Sequence, residues 1–457
     1  MKKIHTLLIV SCLLVFISCE TAPSPDASVV FKDVHVLSME DDEIESGQTV
    51  MVYEGEVTWV GPSGEPRIPD DAEVIEGDYY IMPGLAEMHA HIPSTQQNGD
   101  YITDVLKLYL TQGITTIRGM LGEENHLSLR QQAAAGEIIS PRIFTSGPSF
   151  SGNSVEDADQ ARQMVRDQVD AGYDLLKFHP GLELEHFEAI VDEARQHGME
   201  FSGHISLDVG LERSLEAGKG TIDHLDRYME FLAGDAADRE DPPIIFFGYD
   251  LTYEVEETLI DEAARITAEA GTWNVPTNTL LENIFDPGYD IEEMKNRPGM
   301  EYMPDNHAEG WGNFVENLRT SDEYDPEQGL RYLELRNQLT LALHEQGAGL
   351  LLGADAPQIF NPPGFSAHKE LESLVNAGLT PFEALRTATV NVGEYLGEEN
   401  TVGKVSSGFR ADLVVLDANP LESIPFHDHI VGVMSDGRYY DRAELDDILT
   451  DIRNREY

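Results

Sequence analysis

The chain has 457 residues, of which 41% are hydrophobic and two are cysteine. Its 84 acidic and 30 basic side chains give a formal net charge of −54. A protein of this sign repels phosphate groups, so we exclude nucleic acid as a partner. The acidic residues are spread along the whole chain, which argues against a disordered acidic tail and suits either a saline medium or an ordinary extracytoplasmic protein.

The N-terminus predicts a bacterial secretory signal. A short basic start precedes an apolar run from about residue 7 to 18, which is too short to span a bilayer. We expect a signal peptide at 1–18, a lipoprotein tether at 19–27 and lipidation of Cys19, which would anchor the chain to a membrane outside the cytoplasm; secretion without an anchor is the alternative. Cys12 is lost with the signal, so the mature chain has no disulfide and no thiolate metal ligand.

Strand and helix patterns divide the rest of the chain into two domains. Short β-type runs between turn residues occur in 28–82 and again in 398–445, and neither part can bury a good core alone. We therefore expect one discontinuous β-sandwich built from both ends of the chain, followed by a C-terminal tail at 446–457. In 83–397 strands alternate with amphipathic helices, which predicts an α/β fold with a (β/α)8 barrel.

The eight predicted barrel strands end near particular residues. These are His91, Arg118, Ser146, Lys177, His204, His224, Pro276 and Asp355. After the seventh strand, the segment 281–329 lacks a clear period, and we expect an elaborated loop there. It is either a lid over the site or an ordinary surface insertion.

Six side chains at these strand ends form a candidate metal site. Alternate residues of a strand face the same way, so His89 and His91 point together into the mouth of the barrel, where such barrels carry their chemistry. A single histidine of this kind is more often a packed core residue, but repetition on strand after strand favours metal ligands. The predicted ligands are His89, His91, Lys177, His204, His224 and Asp355.

Lys177 is best explained as a carboxylated lysine. A free ammonium between two dications is electrostatically unfavourable, whereas burial depresses the pKa of a lysine and yields a nucleophilic amine. That amine can take up carbon dioxide to give a carbamate able to bridge two metals. The carbamate, Asp355 and a bridging hydroxide would offset all but one of the positive charges of two divalent ions. The alternative is a lysine that caps the barrel or binds a substrate carboxylate.

Three further residues are candidate substrate binders, each with a structural role as the alternative. Arg118 presents a bidentate fork and Tyr228 a single hydroxyl, and both suit a carboxylate. His179 lies two residues after Lys177 and therefore faces the same way. The other histidines of the barrel region are expected to be surface or capping residues: His126, His186, His197, His307, His344 and His368.

The chain resembles the amidohydrolase superfamily in its binuclear, carboxylated-lysine form. Besides the six residues above, the resemblance rests on Met82-Pro83-Gly84-Leu85, Gly113-Ile114-Thr115-Thr116, Gly353-Ala354-Asp355 and Gly408-Phe409-Arg410-Ala411-Asp412-Leu413. Within the superfamily the chain looks most like the prolidase-like and imidazolonepropionase-like branch, which includes several dipeptidases. The loop at 146–153 lacks the histidine that some of those dipeptidases carry. Lys177 argues against imidazolonepropionase activity, because mononuclear enzymes need no bridging lysine.

The ligand pattern and the resemblance together imply an enzyme that hydrolyses an amide bond in a dipeptide or N-acyl amino acid by attack of a metal-bridging hydroxide. Asp355 would move the proton. The expected cofactors are two divalent ions, with zinc first, and the Lys177 carbamate. The same site could instead open a lactone, cyclic amide or phosphoester. An alternative of another class is an inactive, lipid-anchored binding protein. A homo-oligomer is compatible with the sequence, and membrane association is expected only through Cys19.

Overall fold

The computed structural model describes residues 26–237, 246–455 and 457. The predicted signal peptide and the lipidated Cys19 lie outside these residues. The strands are β1 (Val29–Leu37), β2 (Ile44–Tyr53), β3 (Glu56–Pro62), β4 (Glu73–Glu76), β5 (Tyr80–Pro83), β6 (Leu85–Ala90), β7 (Ile114–Gly119), β8 (Arg142–Thr145), β9 (Leu176–Phe178), β10 (Phe201–Gly203), β11 (Thr221–Asp223), β12 (Trp273–Val275), β13 (Leu413–Leu416), β14 (Ile430–Ser435) and β15 (Arg438–Asp441).

The helices surround the barrel and follow the C-terminal strands. They are α1 (Gly99–Thr111), α2 (Glu124–Ala134), α3 (Ala158–Ala171), α4 (Leu184–His197), α5 (Gly210–Glu216), α6 (Tyr228–Ala233), α7 (Ile260–Ala270), α8 (Asn278–Phe285), α9 (Ile291–Lys295), α10 (Asp305–Arg319), α11 (Pro326–Glu345), α12 (Phe365–Asn376), α13 (Pro381–Thr387), α14 (Val390–Leu396) and α15 (Arg442–Arg453). In the described ranges, none of them is both long and apolar enough to cross a membrane.

Eight parallel segments form the barrel. Strands β6 to β8 make one parallel sheet and β9 to β12 another. Isolated parallel bridges join Ser146 to Leu175, Asn274 to Leu350 and Ala90 to Ala356. The segment 350–356 therefore occupies the eighth strand position of the barrel, between β12 and β6. The predicted (β/α)8 architecture is confirmed, although the eighth segment is too irregular to count as a strand.

The predicted strand ends lie at one rim of this barrel. Arg118 and Lys177 are the last-but-one residues of β7 and β9, and the residues predicted at the ends of five other strands come directly after their strands. In a parallel barrel these ends all face the same side, so side chains far apart in sequence can meet there.

The remaining strands form one mixed sheet in the order β15-β14-β13-β5-β1-β2-β3, with β4 added to β1. Strand β13 from the C-terminal part pairs antiparallel with β5 from the N-terminal part. The sheet forks at β1, whose first half pairs with β4 and whose second half pairs with β5. Phe31, Val50 and Ile81 share a buried core with Leu413 and Met434. Both ends of the chain therefore build the predicted β domain together.

Two segments differ from the sequence prediction. The expected tail at 446–457 is mostly helical, because it continues α15, whose Leu445, Ile448 and Ile452 are buried on one side of the helix. The expected loop at 281–329 is also largely helical and contains the end of α8, all of α9 and α10, and the start of α11. Two of its helices begin directly after aspartates whose side chains accept backbone N–H groups, α9 after Asp290 and α11 after Asp325.

Candidate active site

A cavity of about 830 Å³ opens at the C-terminal ends of the barrel strands. Its base is formed by four of the predicted histidines and Asp355, and its walls are mostly apolar. The lining residues are His89, His91, Leu121, Ser149, Ser151, Asn153, His179, Pro180, Gly181, His204, His224, Phe247, Leu280, Ile284, Phe314, Asp355, Gln358 and Ile359. Because the cavity lies at the catalytic face of a barrel, it is the candidate active site.

One side of the base brings together His89, His91 and Asp355, whose nearest nitrogen and oxygen atoms all lie within 4.8 Å of one another. His91 Nε2 is 2.6 Å from Asp355 Oδ1, and His89 Nε2 is 3.5 Å from the same oxygen. Asp355 has a φ of 62°, in the left-handed region. Such a conformation costs roughly 1–3 kcal/mol in a residue other than glycine and concentrates at functional sites. These three side chains can hold a divalent ion.

The other side of the base is formed by His204 and His224, whose ring centroids are 4.6 Å apart. His204 Nδ1 is 2.8 Å from Asp226 Oδ2, and His224 Nδ1 is 2.9 Å from Thr277 Oγ1. Since these contacts occupy both Nδ1 atoms, the Nε2 atoms are left for a ligand, which is the usual arrangement of metal-binding histidines. Burial lowers the pKa of both rings well below the ordinary value, so they are neutral and able to coordinate.

Lys177 lies fully buried beneath the histidines. Its Nζ is 3.5 Å from Asp223 Oδ2, and burial lowers its pKa although Asp223 and Asp355 act in the opposite direction. The side chain fits because Gly203 runs alongside it. A Cβ at Gly203 would lie 2.6 Å from Lys177 Cδ, and the φ of Gly203 is +103°, a conformation that disfavours other residues.

Asp223 is a site residue that the sequence analysis missed. Its Oδ2 is 3.0 Å from His89 Nδ1, and its Oδ1 accepts a hydrogen bond from Thr221 at 2.7 Å. Burial acts to raise its pKa, but His89 and Lys177 outweigh burial and hold it well below the usual range. The alternation of side chains along a strand could have revealed Asp223, because Thr221 and Asp223 occupy alternate positions of β11 and so share its inner face.

Glu87 is a second residue that the sequence analysis missed. It is fully buried two positions before His89, and burial raises its pKa to about 8. Its Oε1 accepts a hydrogen bond from the backbone N–H of Ala354, at 2.5 Å. Glu87 therefore supports the irregular eighth segment directly before Asp355, and its position on the same face of β6 as the two histidines could have revealed it.

Two of the three predicted substrate binders do not reach the cavity. The guanidinium of Arg118 is buried below it and donates to Met88 O at 2.7 Å and to Tyr395 Oη at 2.6 Å. Tyr228 is buried too, and its hydroxyl donates to Asn274 Oδ1 at 2.8 Å. Their predicted roles as carboxylate binders are wrong, because interior partners already use their polar groups.

His179, by contrast, lines the cavity, with its ring 5.0 Å from that of His204. Burial, with Lys177 next in weight, lowers its pKa to about 2, so it is a neutral imidazole at the wall of the site. Two histidines expected at the surface are instead buried, His126 and His368. His368 Nε2 is 2.9 Å from the carbonyl oxygen of Gln112, which explains its interior position.

The segment 281–329 contributes one wall of the cavity. Ile284 of α8 and Phe314 of α10 line it. Helix α10 is held from both sides, since Trp311 packs edge-on against Phe360 at 5.9 Å and His307 against Tyr101 at 5.5 Å. The segment therefore forms part of the wall of the site, and the hypothesis that it acts as a lid stays a prediction.

Residues 80–439 match the model of the Amidohydrolase family, and the chain therefore belongs to that family, whose members generally bind divalent metals. Ochratoxinase of Aspergillus niger is 35% identical over 318 residues, covering 64% of this chain and 51% of that protein. Imidazolonepropionase of Rubrobacter xylanophilus is 39% identical over 114 residues, covering 23% of this chain and 26% of that protein. The chain thus spans about a half and about a quarter of the lengths of these relatives.

Solved structures of similar fold cover nearly the whole chain. A bottromycin amidohydrolase superposes with a TM-score of 0.69 and 23% identity over 93% of this chain and 89% of the other. A Xaa-Pro dipeptidase with bound methionine superposes with a TM-score of 0.64 and 19% identity, over 90% of this chain and 99% of the other. At these identities the likeness shows the fold, a barrel with an attached β-sandwich domain, in agreement with the architecture described above.

The approach of Gly203 to Lys177 yields a test of the site. We expect Gly203→Ala to displace the lysine side chain, because the new methyl would overlap Cδ, and to lower the content of bound divalent metal in purified protein measured by elemental analysis. Gly198→Ala is the matched control. Gly198 also has a positive φ, +65°, but a Cβ there meets nothing within 4 Å. Equal metal loss in both variants would assign the effect to backbone strain and contradict a specific role for Gly203.

Proposed function

We propose that this protein hydrolyses an amide bond in a dipeptide or N-acyl amino acid with the aid of two divalent metal ions. The observation that carries the proposal is the convergence of four histidines and Asp355 at the base of one cavity, with the buried Lys177 close enough to help lower the pKa of His204 and His224. The names of two proteins of similar fold, a Xaa-Pro dipeptidase and a bottromycin amidohydrolase, support an amide as the bond that is cleaved.

The donor set fits two metal ions. His89 and His91 would hold one ion and His204 and His224 the other, with Asp355 and a carbamate on Lys177 completing the set. Neutral imidazoles and carboxylate-type oxygens suit zinc. A bound pair of such ions lowers the pKa of water toward neutrality and polarises the scissile carbonyl. Asp223 Oδ2 lies 3.0 Å from His89 Nδ1, and this contact leaves Nε2, 3.5 Å from Asp355 Oδ1, for a metal ion.

The surroundings of Lys177 favour its carboxylation. Burial lowers the pKa of the amine, which supplies the neutral form that attacks carbon dioxide. A nitrogen–carbon bond then forms, one proton leaves, and the product is an anionic carbamate. The neighbouring Asp223 is also anionic, but Arg118 lies 3.5 Å from it and offsets its charge. Asp223 therefore does not change the charge count at the metals: the carbamate, Asp355 and a bridging hydroxide would offset all but one of the positive charges of two divalent ions.

Asp355 is positioned to move the proton. Its Oδ2 accepts a hydrogen bond from Gln358 Nε2 at 3.0 Å and its Oδ1 faces His91. Burial alone would raise its pKa, but His89 and His91 outweigh burial and hold it below the usual range, so the group is an ionised carboxylate. In that state it can take a proton from the attacking water and return it to the nitrogen of the leaving amine.

The first test is metal content together with a substrate panel. Purified protein should carry close to two divalent ions per chain, and His204→Ala should lower both metal content and turnover, since it removes a ligand. His186→Ala, on α4 outside the cavity, is the control and should behave like the natural protein. A panel of dipeptides, N-acyl amino acids, lactones and phosphoesters then identifies the bond. Turnover by protein shown to be metal-free would contradict the proposal.

The second test concerns the carbamate. Lys177→Ala should lose metal and activity because it removes the bridging group, and short carboxylates added to the variant should restore part of the activity by occupying the same place. Lys404→Ala, outside the cavity, is the control and should keep full activity without any additive. An unmodified Lys177 amine seen crystallographically in the active, metal-loaded enzyme would refute the assignment.

The third test separates ligation from proton transfer. Asp355→Asn keeps the size of the side chain and an oxygen for the metal but cannot accept a proton. Most of the metal should therefore remain, while kcat should fall by at least the roughly 10²–10⁴-fold that acid–base catalysis contributes. Steady-state kinetics and elemental analysis on the same preparation measure both effects. A fall of only a few-fold would assign proton transfer to another residue.

A further inference from the structure

A second cavity lies beside the candidate active site. Its volume is about 460 Å³, and His91, Leu121 and Gln358 line both spaces, so the two cavities adjoin. Its other walls come from the loop after β6 and from helices α1, α2 and α10. The residues that matter for the argument are Gln97, Tyr101, Glu123, His126 and His307. None of them belongs to the proposed metal site.

His126 is an unsatisfied polar group in the wall of this side cavity. It is 1% exposed, and neither ring nitrogen makes a hydrogen bond within the described residues. The carbonyl of Pro93 is close enough to affect its pKa but does not make a hydrogen bond of ordinary geometry, and Glu123 Oε1 is 4.0 Å from Nε2. Leaving a buried polar group without a hydrogen bond is unfavourable, so a polar ligand is expected to supply a partner for His126.

The charges around the side cavity select the kind of ligand. Among the described residues that line it, Glu123 is the one with a formal charge at neutral pH, and lysine and arginine are absent. Burial lowers the pKa of His126 and of His307, so both rings are neutral and can accept hydrogen bonds. An anion would be repelled by Glu123, whereas a cation finds a carboxylate and two acceptor nitrogens.

The carboxylate and an aromatic hydroxyl are held in place. The backbone N–H of Thr95 donates to Glu123 Oε1 at 2.6 Å, which fixes the carboxylate against the loop after β6. Tyr101 Oη makes a hydrogen bond of 3.4 Å with His307 Nδ1, which leaves Nε2 of His307 for a ligand, and the tyrosine is 2% exposed. An ammonium group has three donors, and this wall offers it a charged acceptor with two neutral ones.

We propose that the side cavity binds a free ammonium group of the substrate. This inference rests on the proposed amide hydrolysis and narrows it: the substrate is a dipeptide or aminoacyl amide with an unblocked amino group, rather than an N-acyl amino acid. The ammonium lies in the side cavity next to His91, and the scissile carbonyl reaches the base of the main cavity. The apolar wall formed by Leu280, Ile284 and Phe314 receives a bulky apolar group on the other side of the bond.

A binding experiment tests the ammonium site without any need for turnover. The probes are 3-methylbutylamine and the uncharged 3-methylbutan-1-ol, which are similar in shape and have no hydrolysable bond. Calorimetric titration of the natural protein should show the amine binding more tightly. In Glu123→Gln the amine should bind about tenfold more weakly, because a hydrogen bond to a charged group becomes a neutral one, while the alcohol should be unaffected.

The variant is designed to preserve the local fold, since the glutamine carbonyl oxygen can still accept the hydrogen bond from Thr95. Glu124→Gln is the matched control: it removes the same charge one residue further along, from an exposed position outside both cavities. His307→Gln provides an independent measurement from another helix and should also weaken the amine. Amine binding no tighter than alcohol binding, or equal weakening in both glutamate variants, would overturn the proposal.

Kinetics distinguish failure of this inference from failure of the proposed function. With a dipeptide that is hydrolysed, Glu123→Gln should raise KM about tenfold with little change in kcat, and the N-acetylated dipeptide should not respond to the variant. Hydrolysis with no difference between the free and the acetylated substrate would refute the ammonium site alone. No hydrolysis of any amide would refute the proposed function and leave the binding result to be judged by itself.

Discussion

The architecture of the site depends on burying Lys177 at the centre of the barrel. Its amine lies 3.5 Å from the equally buried carboxylate of Asp223. Taking two charges out of water costs several kcal/mol per ion, which their attraction offsets only when further hydrogen bonds complete the pair. Thr221 and Arg118 supply such partners to Asp223. The interior of the barrel below the site therefore stabilises a buried pair of charges. Asp223 also orients His89, whose Nδ1 lies 3.0 Å from the carboxylate.

The sequence was sufficient to locate the strand ends because a strand has a fixed period and a parallel barrel gathers its C-terminal ends on one rim. It was not sufficient to decide whether a side chain at such an end points into the cavity. Arg118 shows the difficulty. Its guanidinium donates a hydrogen bond to the hydroxyl of Tyr395, which lies 277 positions away on α14, and no local sequence pattern predicts that contact. Asp223 was missed for a related reason. The metal ligand predicted at this strand end was the next residue, His224, and the sequence alone did not show that Asp223 also faces the interior of the barrel.

Long-range packing also explains the errors outside the metal site. His126 lies on α2, outside the pattern of strand ends, and was therefore expected to be a surface or capping residue, yet the loop after β6 and Glu123 bury it. The segment 281–329 lacks a clear period although it contains the 15-residue helix α10, and its position at the wall of the cavity depends on Trp311 and His307, which contact partners far away in sequence. Anchoring through Cys19 rests on the sequence alone and stays a prediction.

The net charge of the chain favours the same kind of substrate as the side cavity, one with a free ammonium group. A formal charge of −54 produces a negative potential that concentrates cations near the surface and repels anions, within a range set by the ionic strength. An N-acyl amino acid carries one negative charge and must approach against that potential. A dipeptide with a free amino group is a zwitterion, and its ammonium end is attracted both by the overall field and, at short range, by Glu123. The distribution of charge therefore favours an unblocked substrate before any contact with the metal site is made.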